Sequence, residues 1–189
     1  MVIPASGAAT PAPRRVVVMG VSGCGKSTVG AQLAQALGAC YLEGDSLHPL
    51  RNVALMAAGT PLTDADRAGW LLVLAERLRL AHAANAALVL SCSALKRSYR
   101  DTLRSGCPGL RLVHLHGAPE LLAARLAARS DHYMPASLLP SQLQALQMPL
   151  ADEHALGFDI ARPVDEIVKQ AAQQLIQRIV TPPSPKAKP

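Results

Sequence analysis

The stretch Gly20-Val21-Ser22-Gly23-Cys24-Gly25-Lys26-Ser27 completes the pattern G-x-x-x-x-G-K-[ST] and follows the apolar run Val16-Val17-Val18-Met19. It reads as a phosphate-binding loop at the end of a strand. The glycines let the backbone curl until successive N–H groups point at phosphate oxygens. Lys26 reaches the β- and γ-phosphates, and the Ser27 hydroxyl ligates Mg²⁺. Residues 28–37, beginning at Thr28, have the pattern of a helix whose positive end faces the bound anion. The nucleotide-binding set is therefore Gly20, Val21, Ser22, Gly23, Cys24, Gly25, Lys26, Ser27 and Thr28.

Outward from the loop the pattern alternates. Residues 39–42 are a short strand running into Glu43-Gly44-Asp45, and His48-Pro49 leads a helical segment. Thr63 and Asp66 form an acidic variant of a capping box that opens a helix through Trp70 and Leu74 to about residue 80. The near-continuous apolar run 87–92 is a strand covered on both faces. Strands at 111–116 and 156–160 and helices opening at Pro119, 137 and 163 complete a β-α repeat. That order predicts an α/β fold, a three-layer doubly wound parallel sheet of the phosphate-loop kinase type with a small lid.

At 189 residues the chain suits one domain, placed at 14–180. The Pro/Ala/Ser-rich stretches 1–13 and 181–189 bury too little to order themselves. Half the residues are hydrophobic but only 3% are aromatic, which disfavours a base-stacking surface. The net charge of +6 is spread as single Lys and Arg residues, which argues against nucleic acid and suits a small anionic substrate. The cysteines at 24, 40, 92 and 107 form no C-x-x-C pair, so thiols in a cytoplasmic protein are expected. No apolar run is long enough for a membrane span.

Ligands in such sheets sit at the C-terminal ends of strands. Glu43 and Asp45 project to one side there if the chain stays extended. Lys96, Arg97 and Arg100 follow the strand 87–92 and point toward the same crevice. His114 and His116 share a side of their strand, but with no third ligand nearby they do not make a metal site. Arg125 and Arg129 are four apart on one helix face, and the polar break at residues 130–135 has the character of a mobile lid.

The blocks 20–27 (GVSGCGKS), 43–52 (EGDSLHPLRN), 59–67 (GTPLTDADR), 92–101 (CSALKRSYRD), 125–133 (RLAARSDHY) and 142–153 (QLQALQMPLADE) together resemble the gluconokinases. The resemblance spans residues 16–179 and departs from the family at Leu55, where lysine is common, and at Met148, where glutamate is. It implies ATP-dependent phosphorylation of D-gluconate, usually by a homodimer. On that basis Lys26 and the loop hold ATP, and Ser27 and Glu43 serve Mg²⁺. Asp45 takes the hydrogen bond and, if needed, the proton of the attacking hydroxyl. His48, Arg51, Lys96 and Arg100 are the candidates for gluconate's carboxylate and hydroxyls, while Arg125 and Arg129 close over ATP in cis. The runner-up is a shikimate-type or nucleoside-monophosphate kinase, which would differ in the acceptor pocket. Asp66-Arg67-Ala68-Gly69 matches the D-x-x-G of a GTPase switch, but it follows no buried strand and no N-K-x-D motif occurs.

Overall fold

A computed structural model describes residues 15–128 and 135–180. The expected extensions 1–13 and 181–189, Arg129 and most of the expected lid lie outside those residues. Five parallel strands form one sheet in the order β2-β3-β1-β4-β5: β1 (Arg15–Met19), β2 (Cys40–Glu43), β3 (Leu88–Ser91), β4 (Arg111–His116) and β5 (Leu156–Asp159). The helices are α1 (Lys26–Leu37), α2 (Leu50–Ala57), α3 (Asp64–Ala83), α4 (Arg97–Gly106), α5 (Pro119–Ala127), α6 (Leu139–Ala145) and α7 (Val164–Val180).

Alternation along β1 divides the core. Val16 and Val18 pack with α1, α5, α6 and α7 residues such as Leu33, Leu122, Leu139 and Leu175. Val17 and Met19 point the other way, onto Trp70, Leu74 and Leu78 of α3 and Leu103 of α4. A strand covered on both faces must be apolar along its buried length, as Val16 to Met19 of β1 and Leu88 to Leu90 of β3 are. A satellite cluster of Met56, Leu62 and Leu138, with Leu55 against it, ties α2 to the chain before α6. The β1 edge between β3 and β4 is where the strand order reverses, so the loop after β1 opens into the crevice of the sheet.

Local signals form as the residues dictate. Thr63 caps α3: its hydroxyl accepts from the Asp66 amide while the Asp66 carboxylate accepts from the Thr63 amide at 2.9 Å. Gly25, at φ +89°, precedes α1 in a conformation that L side chains rarely adopt. Gly44 fills a different need, since a Cβ there would lie 2.2 Å from the Ser91 carbonyl oxygen. Its absence lets the turn Gly44–Leu47 press against the end of β3, which sets where Asp45 stands.

His114 is 2% exposed on β4, with its ring 5.5 Å from that of His116. Burial, then the charges of His116 and Arg100, push it down to about 4 from 6.5. Between those values the unfolded chain binds more protons than the folded one, so stability is present near neutrality and lost as pH falls from 6.5 toward 4. His48 acts in the same direction. Thermal melts from pH 7.5 down to 4.5 should therefore show a falling Tm. His114→Leu should flatten the slope, because the His114 Nε2 atom has no hydrogen-bond partner to lose. An unchanged slope in that variant would remove His114 from the acid response.

Candidate active site

The loop wraps the N-terminus of α1, and the Lys26 Nζ donates to the Val21 carbonyl at 3.0 Å, so its ammonium lies folded over the loop. Beside it, the Ser27 hydroxyl stands near enough to the Glu43 carboxylate to favour its ionised form. Tyr41 donates to Glu43 Oε2 at 2.7 Å and Ser91 donates to Oε1. Burial alone would raise the Glu43 carboxyl, but hydrogen bonds from Ser27, Ser91, Tyr41 and the Asp45 amide outweigh it and hold it low. An ionised carboxylate beside a hydroxyl, with every donor an oxygen, suits Mg²⁺. Arg125, on α5, donates to the Ile160 carbonyl at 2.8 Å, and its Nη1 lies 4.0 Å from where a Gly25 Cβ would be. Its guanidinium therefore stands against the phosphate loop.

Lys26, Asp45, His48, Arg67, Ser22 and Gln142 line one cleft. Met56, Leu62 and Leu95 supply its apolar wall. His48 lies flat on Trp70, with centroids 4.0 Å apart at 17°, and Trp70 anchors itself by donating to the Gly44 carbonyl at 2.8 Å. Asn52, buried, donates to the Asp66 carbonyl at 2.7 Å and stands 3.4 Å from His48 Nδ1, tying α2 to α3 through the imidazole. Burial and then the charge of Arg67 push His48 down to about 4. It is neutral at pH 7.

The basic set expected to clamp the substrate is only partly brought together: of His48, Arg51, Lys96 and Arg100, His48 lines the cleft. Arg100 is fully buried: its Nε and Nη2 donate to Glu153 at 2.6 and 2.7 Å, and its Nη1 donates to the carbonyls of Ala94, Leu95 and Gln147. A guanidinium so committed is a structural tie with no route to substrate. Arg51 has a side chain 82% exposed, 3.9 Å from Asp66. It lines a separate outer groove of about 780 Å³ with Pro49, Thr63 and Val73, a groove that shares no residue with the phosphate loop. Lys96 is bound to both Asp64 oxygens at 2.7 and 2.8 Å. His48 reaches the cleft, but as an uncharged ring.

Beyond Lys26, the cation that does face the cleft is Arg67, which also donates to the Leu62 carbonyl and lies 5.9 Å over the Tyr99 ring. Sequence spacing held a signal for it: Arg67 is three residues before Trp70, so a helix that buries Trp70 turns Arg67 toward the same side. Gln142 and Ser91 carried no such signal, since each acts through a contact distant in sequence, and Tyr41, two residues before Glu43, reads only as a strand residue. Asp66-Arg67-Ala68-Gly69 lies inside α3, where a switch loop has no place.

Residues 16–149 match the family model described as an AAA domain. The chain is 48% identical to the gluconokinase of Gluconobacter oxydans over 158 residues, 84% of this chain and 89% of that protein. It is 43% identical to the thermoresistant gluconokinase of Escherichia coli, covering 80% and 87% of the two chains. The crystal structure of a gluconokinase from Sinorhizobium meliloti superposes with a TM-score of 0.81 at 47% identity, covering 89% of this chain and 94% of the other.

The buried place of Arg100 has a measurable consequence. Arg100→Ala leaves Glu153, which accepts from Arg100 and Arg104 and is held down at about 2, buried without its main partner. Loss of about 3–5 kcal/mol is expected for such a cut. Calorimetry should show a large fall in Tm, and any rise in acceptor KM should accompany that loss of stability. A raised acceptor KM at unchanged Tm would restore Arg100 to the substrate site.

Proposed function

The chain belongs to the gluconokinase family, and from that premise we propose that it transfers the γ-phosphoryl group of ATP to the primary hydroxyl of D-gluconate, giving 6-phospho-D-gluconate and ADP. The observation that carries this reading is the meeting of Lys26, Asp45, His48 and Arg67 in one cleft at the mouth of the phosphate loop. A sugar acid offers one carboxylate and many hydroxyls, and beyond the Lys26 ammonium at the phosphate loop the cleft offers the Arg67 guanidinium beside neutral and acidic hydrogen-bonding groups.

Phosphoryl transfer asks the protein to position groups and neutralise oxygens. The Gly20 and Ser22 amides donate to the Ser93 carbonyl and to Gln142, so the phosphates fall to the remaining loop amides up to Thr28 and to the Lys26 ammonium. Ser27 and Glu43 would hold Mg²⁺, whose contribution when bound is to neutralise charge on the β- and γ-oxygens. Arg125 lies where it would offset charge on the transferring group, and we assign Arg129 to the same task. Asp45 orients the hydroxyl. As the new O–P bond forms and the bond to the ADP oxygen breaks, with its electron pair leaving on ADP, the hydroxyl proton passes to Asp45. Arg67 and His48 hold the far end of the acid, and Lys96 would have to leave Asp64 to join them. We further propose a homodimer working in the cytoplasm. The free thiols of Cys24, Cys40, Cys92 and Cys107 agree with a reducing compartment, and among the described residues no helix is long and apolar enough to cross a membrane.

A coupled assay tests the reading: D-gluconate with Mg-ATP should release ADP, and shikimate or a nucleoside monophosphate should not. The reverse pattern would overturn it. In the same assay Lys26→Ala should lose about 10²-fold or more in turnover while circular dichroism stays that of the parent.

Two further variants separate the roles inside the cleft. Asp45→Asn should cut kcat by about 10²-fold with the KM for ATP within about threefold. Arg67→Ala should raise the gluconate KM by about tenfold or more, and Lys96→Ala by less. Full kcat in Asp45→Asn would remove its proton-handling role, and a larger KM effect from Lys96 than from Arg67 would exchange theirs.

A further inference from the structure

Gln142, on α6, reaches across 120 residues of sequence to the phosphate loop. Its Oε1 accepts from the Ser22 backbone N–H at 2.7 Å, and its Nε2 donates to the Ser22 Oγ at 3.1 Å. The first bond fixes the orientation of the carboxamide, because a backbone N–H can only donate and the atom facing it must be the oxygen. The nitrogen is thereby turned to the hydroxyl side, in the cleft shared with Lys26, Asp45 and Arg67. The chain just after α6 is pinned as well, since the Gln147 amide donates to the Leu95 carbonyl at 2.8 Å and the Gln147 side chain accepts from the Arg97 amide at 2.8 Å. A rigidly held, uncharged, bidentate side chain thus grips the residue where the phosphate loop meets the acceptor cleft.

We propose that Gln142 is a positioning residue for phosphoryl transfer: it holds Ser22, and with it the mouth of the loop, in register with the acceptor hydroxyl, and occupies space that water would otherwise take. The proposal rests on the kinase reading of the cleft. In-line transfer is sensitive to sub-ångström placement, so loosening this grip costs rate without removing any group that binds ATP. It also admits water as a competing acceptor.

Gln142→Ala and Gln142→Glu should be assayed beside the parent for gluconate turnover, KM for Mg-ATP, Tm and ATP hydrolysis without acceptor. Gln142→Ala should lose about tenfold or more in kcat with the ATP KM within about threefold. Acceptor-free hydrolysis relative to kcat should rise by a similar factor. Gln142→Glu can keep both Ser22 contacts, since the hydroxyl can turn to donate, so it should fold even if the alanine variant does not. Its added negative charge beside the phosphates should still lower turnover.

Turnover and hydrolysis ratio unchanged in either variant would overturn the proposal. So would a loss of rate that merely follows a loss of Tm with the hydrolysis ratio constant, which is the signature of a structural tack. If the parent does not phosphorylate gluconate, the functional reading fails, while acceptor-free hydrolysis still reports on Gln142.

Discussion

The acceptor side of this kinase depends on one buried ion pair. Arg100 and Glu153 are both almost without solvent contact, and two charges withdrawn from water are tolerable only when every polar atom around them is satisfied. Glu153 meets that demand with Arg100, Arg104 and the Leu150 amide. Arg100 meets it by drawing in the carbonyls of Ala94, Leu95 and Gln147. The turn after β3, the start of α4 and the chain after α6 are therefore held to one guanidinium. The turn after β3 supplies Ser93 and Leu95 to the cleft, and the chain after α6 follows directly on the helix that carries Gln142. The residue that reads as a ligand is the post on which the site is hung.

The same accounting explains which cations remain for anionic substrates. A chain of net charge +6 could present a diffuse basic surface, yet Lys96, Arg97, Arg100, Arg104 and Arg162 each spend their charge on a carboxylate. Lys26, Arg67 and Arg125 contact backbone carbonyls instead. A carbonyl orients a cation without neutralising it, so these keep their field where phosphate and carboxylate groups arrive. Lowering His48 to a neutral ring fits the pattern, because a charged imidazole beside Arg67 would be repelled, whereas a neutral one can both accept and donate.

How much was legible in the sequence follows from how local each feature is. The phosphate loop, the Thr63–Asp66 box and the strands are written in runs of a few residues, and they form where the pattern predicts. Glu43 was legible because it closes a strand, whereas the extended geometry expected to carry on to Asp45 gives way to the turn Gly44–Leu47, which places that carboxylate instead. The basic residues after β3 were not, since a helix start leaves open which side chains face a crevice and which find carboxylates elsewhere. Asp64, Asp152 and Glu153 are 32 to 55 residues away from the cations they hold. Leu55 becomes intelligible only with the satellite cluster in view: where the family often has lysine, an apolar side chain packs against Met56, Leu62 and Leu138. Met148, 55% exposed, meets no comparable demand.

The aromatic residues give a further physical reason to place a polyol acid in the cleft instead of a nucleobase. A base is held by an open π-face, and stacking on it is worth about 1–3 kcal/mol. Among the described residues no such face is offered there. Trp70 is 2% exposed, with its indole N–H committed to Gly44 and His48 stacked upon it. Tyr99 is buried, its hydroxyl on Asp64 at 2.5 Å. Tyr41 is drawn into the Glu43 network and packs over Gly30, and Phe158 lies in the core. Every described aromatic ring near the sheet's crevice is consumed in building the frame, so recognition falls to the carboxylate, imidazole and guanidinium of Asp45, His48 and Arg67. That is a hydrogen-bonding surface, and a flexible chain of hydroxyls ending in a carboxylate can satisfy it.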